Sequence, residues 1–169
     1  MKIELITMRF VENLKYLQEK VGIENIIFCG NDKQNEFLYV QYDAKNYGIA
    51  YSNLGVKAQV SIDIEEKILY IGASQNFICI DMNINKILFN NELIFPFFEM
   101  LSSKNSEYLC VVCECNVICY YRSEELWQVD FVDIICDYKI IEDKLFVQCA
   151  DKTEYFVELS SGISKNSLY

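Results

Sequence analysis

The sequence predicts a mainly β fold of antiparallel meanders, preceded by one N-terminal α-helix. Three observations lead to this prediction: a helical spacing of apolar residues at the start, an apolar alternation of period two after Gly22, and an internal repeat. A chain of 169 residues that is 52% hydrophobic is long enough to bury one core. We therefore expect residues 1–169 to form a single domain.

The helix is predicted over residues 3–21, because Gly22 follows as a favourable C-terminal stop. Apolar residues recur there at spacings of three and four: Ile3, Ile6, Phe10, Leu14, Leu17 and Val21. Three further apolar residues widen this stripe, and they leave a short opening strand as the alternative: Leu5, Met8 and Val11.

After Gly22, short runs rich in Val, Ile, Phe and Tyr alternate with polar turn residues, which is typical of an all-β domain. No second long helical pattern is present to connect parallel strands, so antiparallel pairing is expected. The predicted strands are 37–43, 47–53, 57–63, 67–73, 77–82, 86–91, 108–114, 117–122, 126–131, 134–141, 144–149 and 153–159.

An internal repeat links these strands. Residues 67–90 align with residues 107–131, a third copy at 144–162 lacks the final strand, and a fainter copy begins at Phe37. The alignment brings together one leucine from each copy: Leu38, Leu69, Leu109 and Leu145.

Over residues 37–162 these units resemble blades of PQQ-like and WD-repeat β-propellers, on the strength of Ile80-Asp81 and Trp127. The resemblance implies a hairpin, a short turn and an outer strand that carries an aromatic residue. About three units cannot close a ring that needs at least four. We therefore expect a partial (open) β-propeller-like or β-sandwich arrangement, followed by a flexible tail at 163–169.

The stretch CVVCECNVIC, residues 110–119, carries four cysteines, but strand geometry favours packing over metal binding. In a strand, Cys110 and Cys113 point to opposite faces, and Cys113 and Cys115 lie roughly 7 Å apart, too far for two sulfurs on one zinc. The repeat also aligns Cys79 with Cys119. We predict core thiols, with Cys115 exposed in a turn; a metal site and a regulatory thiol remain alternatives.

The sequence contains no histidine, which excludes His-based nucleophile activation and His metal ligands. Its six glycines are too far apart for a phosphate-binding loop. We therefore expect no cofactor and no enzymatic activity. The aromatic residues Trp127, Phe131 and Phe89, and the segment 95–98, are predicted to pack between the units.

A net charge of −10 and a pI near 4.5 argue against nucleic acid and anionic membranes as partners. The charged N-terminal segment does not read as a signal peptide, and no apolar run approaches the length of a membrane span. A cytoplasmic location in a bacterium is expected, where thiols stay reduced.

Residues 124–143 contain seven acidic residues and a single basic residue, Lys139. This acidic series is either a solvated face or a docking surface for a basic protein partner. The predicted partner-binding residues are Glu124, Glu125, Asp130, Asp133, Asp137, Glu142 and Asp143.

This profile resembles that of bacterial immunity proteins, which implies a protein that neutralises a basic, nuclease-type toxin domain. A second hypothesis is a structural, oligomerising β-repeat subunit, possible as a homodimer because open sheets leave unpaired strand edges. A third is a carboxylate-dependent enzyme or small-ligand binder, which would require a polar cleft.

Overall fold

The computed structural model describes residues 6–30, 33–104 and 107–166, and within these residues it contains sixteen strands arranged in four four-stranded sheets. The first part of the chain contains β1 (Ile6–Val11), α1 (Leu14–Val21), a 3-10 helix (Ile23–Asn25), β2 (Ile26–Phe28), β3 (Glu36–Tyr42) and β4 (Lys45–Tyr51). Its four strands form the first sheet in the spatial order β1-β3-β4-β2, with β2 and β4 parallel and the other pairs antiparallel.

The predicted helix at 3–21 is wrong for residues 6–11, and residues 3–5 lie outside the described residues. Residues 6–11 instead form β1, which pairs along its whole length with β3. The helix begins after Asn13, whose side chain accepts a 2.9 Å hydrogen bond from the Tyr16 N–H. It ends, as predicted, at Gly22, which has a φ of 77°. The alternative of a short opening strand is confirmed.

The other three sheets are antiparallel meanders, each built from four consecutive strands, as predicted. The second sheet comprises β5 (Gln59–Asp63), β6 (Ile68–Ala73), β7 (Asn76–Asp81) and β8 (Lys86–Glu92). The third comprises β9 (Phe97–Ser102), β10 (Tyr108–Cys113), β11 (Asn116–Tyr121) and β12 (Glu124–Asp130). The fourth comprises β13 (Ile135–Ile141), β14 (Lys144–Cys149), β15 (Glu154–Glu158) and β16 (Ser164–Asn166).

All twelve predicted strands are present. Strand β1 was predicted only as the alternative to the helix, and β2, β9 and β16 were missed. The flexible tail predicted from residue 163 is wrong for Ser164–Asn166, because these residues pair with β15 as the outer strand of the fourth sheet. Residues 167–169 lie outside the described residues.

The sheets pack face to face in chain order. One buried cluster joins the first and second sheets, another the second and third, and another the third and fourth. Among the described residues, no buried cluster joins the first sheet to the fourth, so the array is open, as predicted. Helix α1 covers part of the outer face of the first sheet, where Leu17 and Val21 pack with Ala50.

The internal repeat is visible in the strand pairing. Cys79 is paired with Phe89, Cys119 is paired with Trp127, and a β-bulge follows each cysteine. The fainter first copy is out of register by one residue. Leu38 faces the second sheet, whereas the leucines of the other three copies face the preceding sheet. A shift of one residue moves a strand's side chains to the opposite face.

Phe97 fixes the contact between the second and third sheets. It is 2% exposed, and its ring lies so close to Gly72 of β6 that a Cβ at that glycine would overlap it. Segment 95–98 connects the second and third sheets, as predicted, with Phe97 buried and the rest of the segment partly buried, and it also starts β9. The absence of a side chain at Gly72 sets how closely these two sheets approach.

We expect Gly72→Ala to lower the free energy of unfolding by about 1–3 kcal/mol, because the added methyl group overpacks this interface. Chemical denaturation measures the change. Phe97→Leu provides room for the methyl group, so the double variant should lose less stability than the sum of the two single variants. Strictly additive losses would contradict this packing account.

Candidate protein-binding surface

Three of the predicted binding residues lie on β12, which forms one edge of the third sheet. Glu124, Glu125 and Asp130 are all exposed. The strand register pairs Glu125 with Tyr120 and Glu124 with Tyr121, so these neighbouring acids point to opposite faces of the sheet. Glu125 faces the second sheet, because Tyr120 packs in the cluster between the second and third sheets.

The other four residues lie in the following segment. Asp133 is half-buried in the connection from β12 to β13, and its carboxylate accepts a 2.8 Å hydrogen bond from the Ile134 N–H. Asp137 is exposed on β13, and Glu142 and Asp143 form the turn between β13 and β14.

The series does not form one continuous patch. Strand β13 belongs to the fourth sheet and contacts β9, which is the edge of the third sheet opposite β12. Three inter-strand spacings, about 14 Å, separate these two edges. The structure therefore divides the acids into a group on β12 and a group on and after β13, with Asp133 between them.

A groove of about 340 Å³ opens between β8 of the second sheet and β12 of the third sheet. Glu125 and Gln128 of β12 line one wall, and Asn91 of β8 lines the other. The structure thus adds amide side chains that charge patterning in the sequence did not single out. Two buried β11 residues, Asn116 and Tyr120, also line the groove.

A second cleft, of about 440 Å³, lies between the β5–β6 turn of the second sheet and the neighbouring turns of the third sheet. It is the polar cleft that the enzyme hypothesis would need, but its charges are mixed. Arg122 lies 4.0 Å from Glu107, and both side chains are substantially exposed. The lining acids and bases are Asp63, Glu65, Glu66, Glu107, Lys104 and Arg122.

Six of the eight cysteines are buried, and all eight are free thiols, so the prediction of core thiols is confirmed for these six. Cys110 packs between the third and fourth sheets, whereas Cys113 packs between the second and third, on the opposite face as expected. Burial raises the pKa of Cys29 and of Cys113 from 9.0 to about 12, and that of Cys79 to about 11. These thiols therefore stay protonated near neutrality.

The other two cysteines reach the surface. Cys115 is partly exposed in the β10–β11 turn, as predicted, and partial burial together with Glu114 and Asp133 raises its pKa. Cys136 is exposed near the start of β13 and was not singled out. Within the described residues, no three Cys, Asp or Glu side chains are grouped as metal ligands would be.

Trp127 and Phe131 pack between the third and fourth sheets, as predicted, and the Trp127 Nε1–H donates a 2.7 Å hydrogen bond to the Leu159 carbonyl. Phe89 packs against the cluster between the second and third sheets. No helix in the described part of the chain is long and apolar enough to cross a membrane.

The buried thiols and tyrosines predict alkaline sensitivity. Burial also raises the pKa of Tyr70 and Tyr120 from 10.0 to about 12. The stabilisation that these groups provide is complete below their unfolded pKa values, near 9 to 10, and is lost as the pH rises through the folded values of 11 to 12.

We expect the free energy of unfolding to fall steeply above pH 9, by about 1–3 kcal/mol for each of Cys29, Cys79 and Cys113 by pH 11. Urea titrations at pH 7, 9 and 11 measure the fall. Cys113→Ala removes one of these groups, so its stability should depend less on pH in this range. An unchanged slope would contradict the assignment.

No family model and no curated protein matches the sequence. Solved structures do match. The computationally designed Ika8 protein is 13% identical, with a TM-score of 0.52, over 82% of this chain and 51% of its own. The β-propeller domain of Cps50 (Swd1) from Myceliophteria thermophila is 11% identical, with a TM-score of 0.51, over 68% of this chain and 37% of its own.

The WD40 domain of Toxoplasma gondii coronin is 13% identical, with a TM-score of 0.51, over 76% of this chain and 38% of its own. This chain spans about half or less of each of the three structures. At such identities the likeness shows the fold alone. The resemblance to β-propeller blades is therefore confirmed: the chain is an open array of four propeller-like sheets.

Proposed function

We propose that this chain is a non-catalytic protein-binding module whose partner is a basic protein. The net charge of −10, together with exposed acids on the β12 edge and around β13, is the observation that carries the proposal. Complementary charge accelerates the encounter of two proteins and selects against acidic competitors. The interaction needs no cofactor.

In its specific form, the proposal is that the module is a cytoplasmic bacterial immunity protein that neutralises a nuclease-type toxin domain. A nuclease domain must attract phosphates, so its surface is basic, and an acidic inhibitor can compete for that surface. The support is the charge and its exposure, because the likeness to other structures extends to the fold alone.

Two exposed acid pairs allow a matched test of this proposal. Glu124→Lys/Glu125→Lys reverses two adjacent charges on β12, and Glu65→Lys/Glu66→Lys reverses two adjacent charges in the β5–β6 turn of the second sheet. We expect the β12 variant to slow association with the native partner on the order of tenfold, and the control variant to change it far less.

The partner is captured from the native cell by pull-down with the whole chain, and association is then followed by surface plasmon resonance at two salt concentrations. Protection of cells that express the captured partner gives the biological readout. A failure to recover any basic partner, together with full protection by the β12 variant, would contradict the proposal.

One observation favours the alternative of a structural, oligomerising subunit. No neighbouring element covers the outer face of the fourth sheet in the described part of the chain, and Lys139 lies 5.2 Å from the centre of the Phe146 ring on that face. Sedimentation at low micromolar concentration separates the two functions. A stable dimer would favour the structural subunit, and a monomer the heteromeric inhibitor.

A further inference from the structure

The groove between β8 and β12 contains a buried acceptor that has no hydrogen-bond donor. Asn116, the first residue of β11, is 1% exposed, and its Oδ1 has no partner among the described residues. A buried carbonyl without a donor destabilises the fold, so such groups are rare in native proteins. Here this carbonyl belongs to a side chain that lines an open groove.

The internal repeat shows that this arrangement is not imposed by the blade architecture. Asn76 begins β7 as Asn116 begins β11, and its Nδ2 donates a 3.0 Å hydrogen bond to the Asn90 Oδ1 of β8. The Asn76 Oδ1 is not among the buried atoms that lack a partner in the described part of the chain. Gln128 occupies the position in β12 that corresponds to Asn90 in β8, because each lies two residues before the strand partner of its asparagine. The Gln128 amide, however, donates to Asp130, 3.1 Å away.

The chemistry of the groove is that of an acceptor site. The register of β11 and β12 places Glu125, Gln128 and Asp130 on the same face of the sheet as Asn116. The Asn91 amide already faces the Tyr120 hydroxyl at 3.5 Å. Among the described residues, the charged ones that line the groove are both acidic, Glu92 and Glu125, and no Lys or Arg lines it.

Apolar surface beside these acceptors suits a long aliphatic stem. Leu93 and Ile118 are buried in the groove wall, and Ile94 is 70% exposed at its rim. An arginine side chain combines such a stem with five N–H donors in a planar fork that can bind a carboxylate through two hydrogen bonds. A lysine offers the same charge, but as a single point.

We propose that this groove binds an arginine side chain of the partner protein, with the Glu125 carboxylate holding the guanidinium and the Asn116 carbonyl accepting one of its N–H groups. The inference rests on the proposed function, since it assumes a basic partner, and it assigns a specific site to that partner. It also gives separate roles to Glu124 and Glu125, which are adjacent in sequence but lie on opposite faces of β12.

The test uses the whole ¹⁵N-labelled chain and a blocked Gly-Arg-Gly tripeptide as the probe. We expect saturable NMR shifts of the side-chain amides of Asn116 and Gln128. The tripeptide with citrulline, the neutral analogue of arginine, should cause much smaller shifts. The absence of saturable shifts at Asn116, or equal binding of the citrulline peptide, would overturn the proposal.

Two adjacent acids provide the matched control. Glu125→Gln should weaken tripeptide binding by about two- to fivefold, as expected for the loss of one exposed charge pair. Glu124→Gln removes the same charge from the opposite face of β12, so it should leave binding unchanged. If both variants weaken tripeptide binding equally, the effect comes from the overall negative charge and not from the position of Glu125 in the groove, and the proposal is overturned.

A second pair separates a binding role from a structural one. Asn116→Leu replaces an unpartnered polar group by an apolar group of similar shape, so the melting temperature should be unchanged or higher while tripeptide binding is lost. Asn76→Leu breaks the hydrogen bond to Asn90 and should lower the melting temperature. If Asn116→Leu also lowers the melting temperature and retains binding, the proposal fails.

These outcomes are independent of partner capture. If the tripeptide does not bind but the charge reversals on β12 still prevent capture of a basic partner, the groove assignment fails and the proposed function stands. If the tripeptide binds but no basic partner is recovered, the proposed function fails.

Discussion

Each sheet of this protein depends on its neighbour to cover an apolar face, and the contact at each interface includes an aromatic side chain with a polar tip. The Tyr47 hydroxyl donates to Asn85 at 2.8 Å across the first interface. The Tyr70 hydroxyl lies 2.8 Å from that of Ser123 across the second. A buried hydroxyl needs a partner, so these bonds fix how the sheets are oriented as well as how closely they pack. At the third interface, the Trp127 indole N–H donates the corresponding hydrogen bond to the Leu159 carbonyl.

An open array needs ends that do not continue the stack. At one end, α1 lies on the first sheet, where Gly48 lets Leu17 and Val21 approach the backbone of β4. At the other end, the outer face of the fourth sheet carries a 3.3 Å ion pair between Lys144 and Glu158. The same face also carries the rings of Phe146 and Phe156, so it is a mixed surface. Strands β8 and β12 are edge strands of the two middle sheets, and they form the walls of the binding groove.

The parts of the fold that the sequence predicted correctly are those in which local pattern and tertiary environment agree. All six residues of β6 are buried because both faces of the second sheet are covered, so a continuous apolar run identifies the strand. Strand β1 was assigned to the helix because its apolar residues fit the period of a helix as well as that of a strand. Only its pairing with β3 decides between the two. Strand β9 was missed because it starts at Phe97, inside a run of aromatic residues without alternation.

The candidate site shows a different limit of sequence reasoning. Seven acids within twenty residues suggest one surface, but the chain passes from one edge of the third sheet to the opposite edge between β12 and β13 and separates them. The matching positions of Asn76 and Asn116 are visible in the sequence, whereas the missing partner of Asn116 appears only once the register with Gln128 is known. An unpaired buried carbonyl costs about 1–3 kcal/mol, and the Asn76 Oδ1 at the matching position is not left in that state. The guanidinium that we propose for the groove would supply the donor that the Asn116 carbonyl lacks within the described part of the chain.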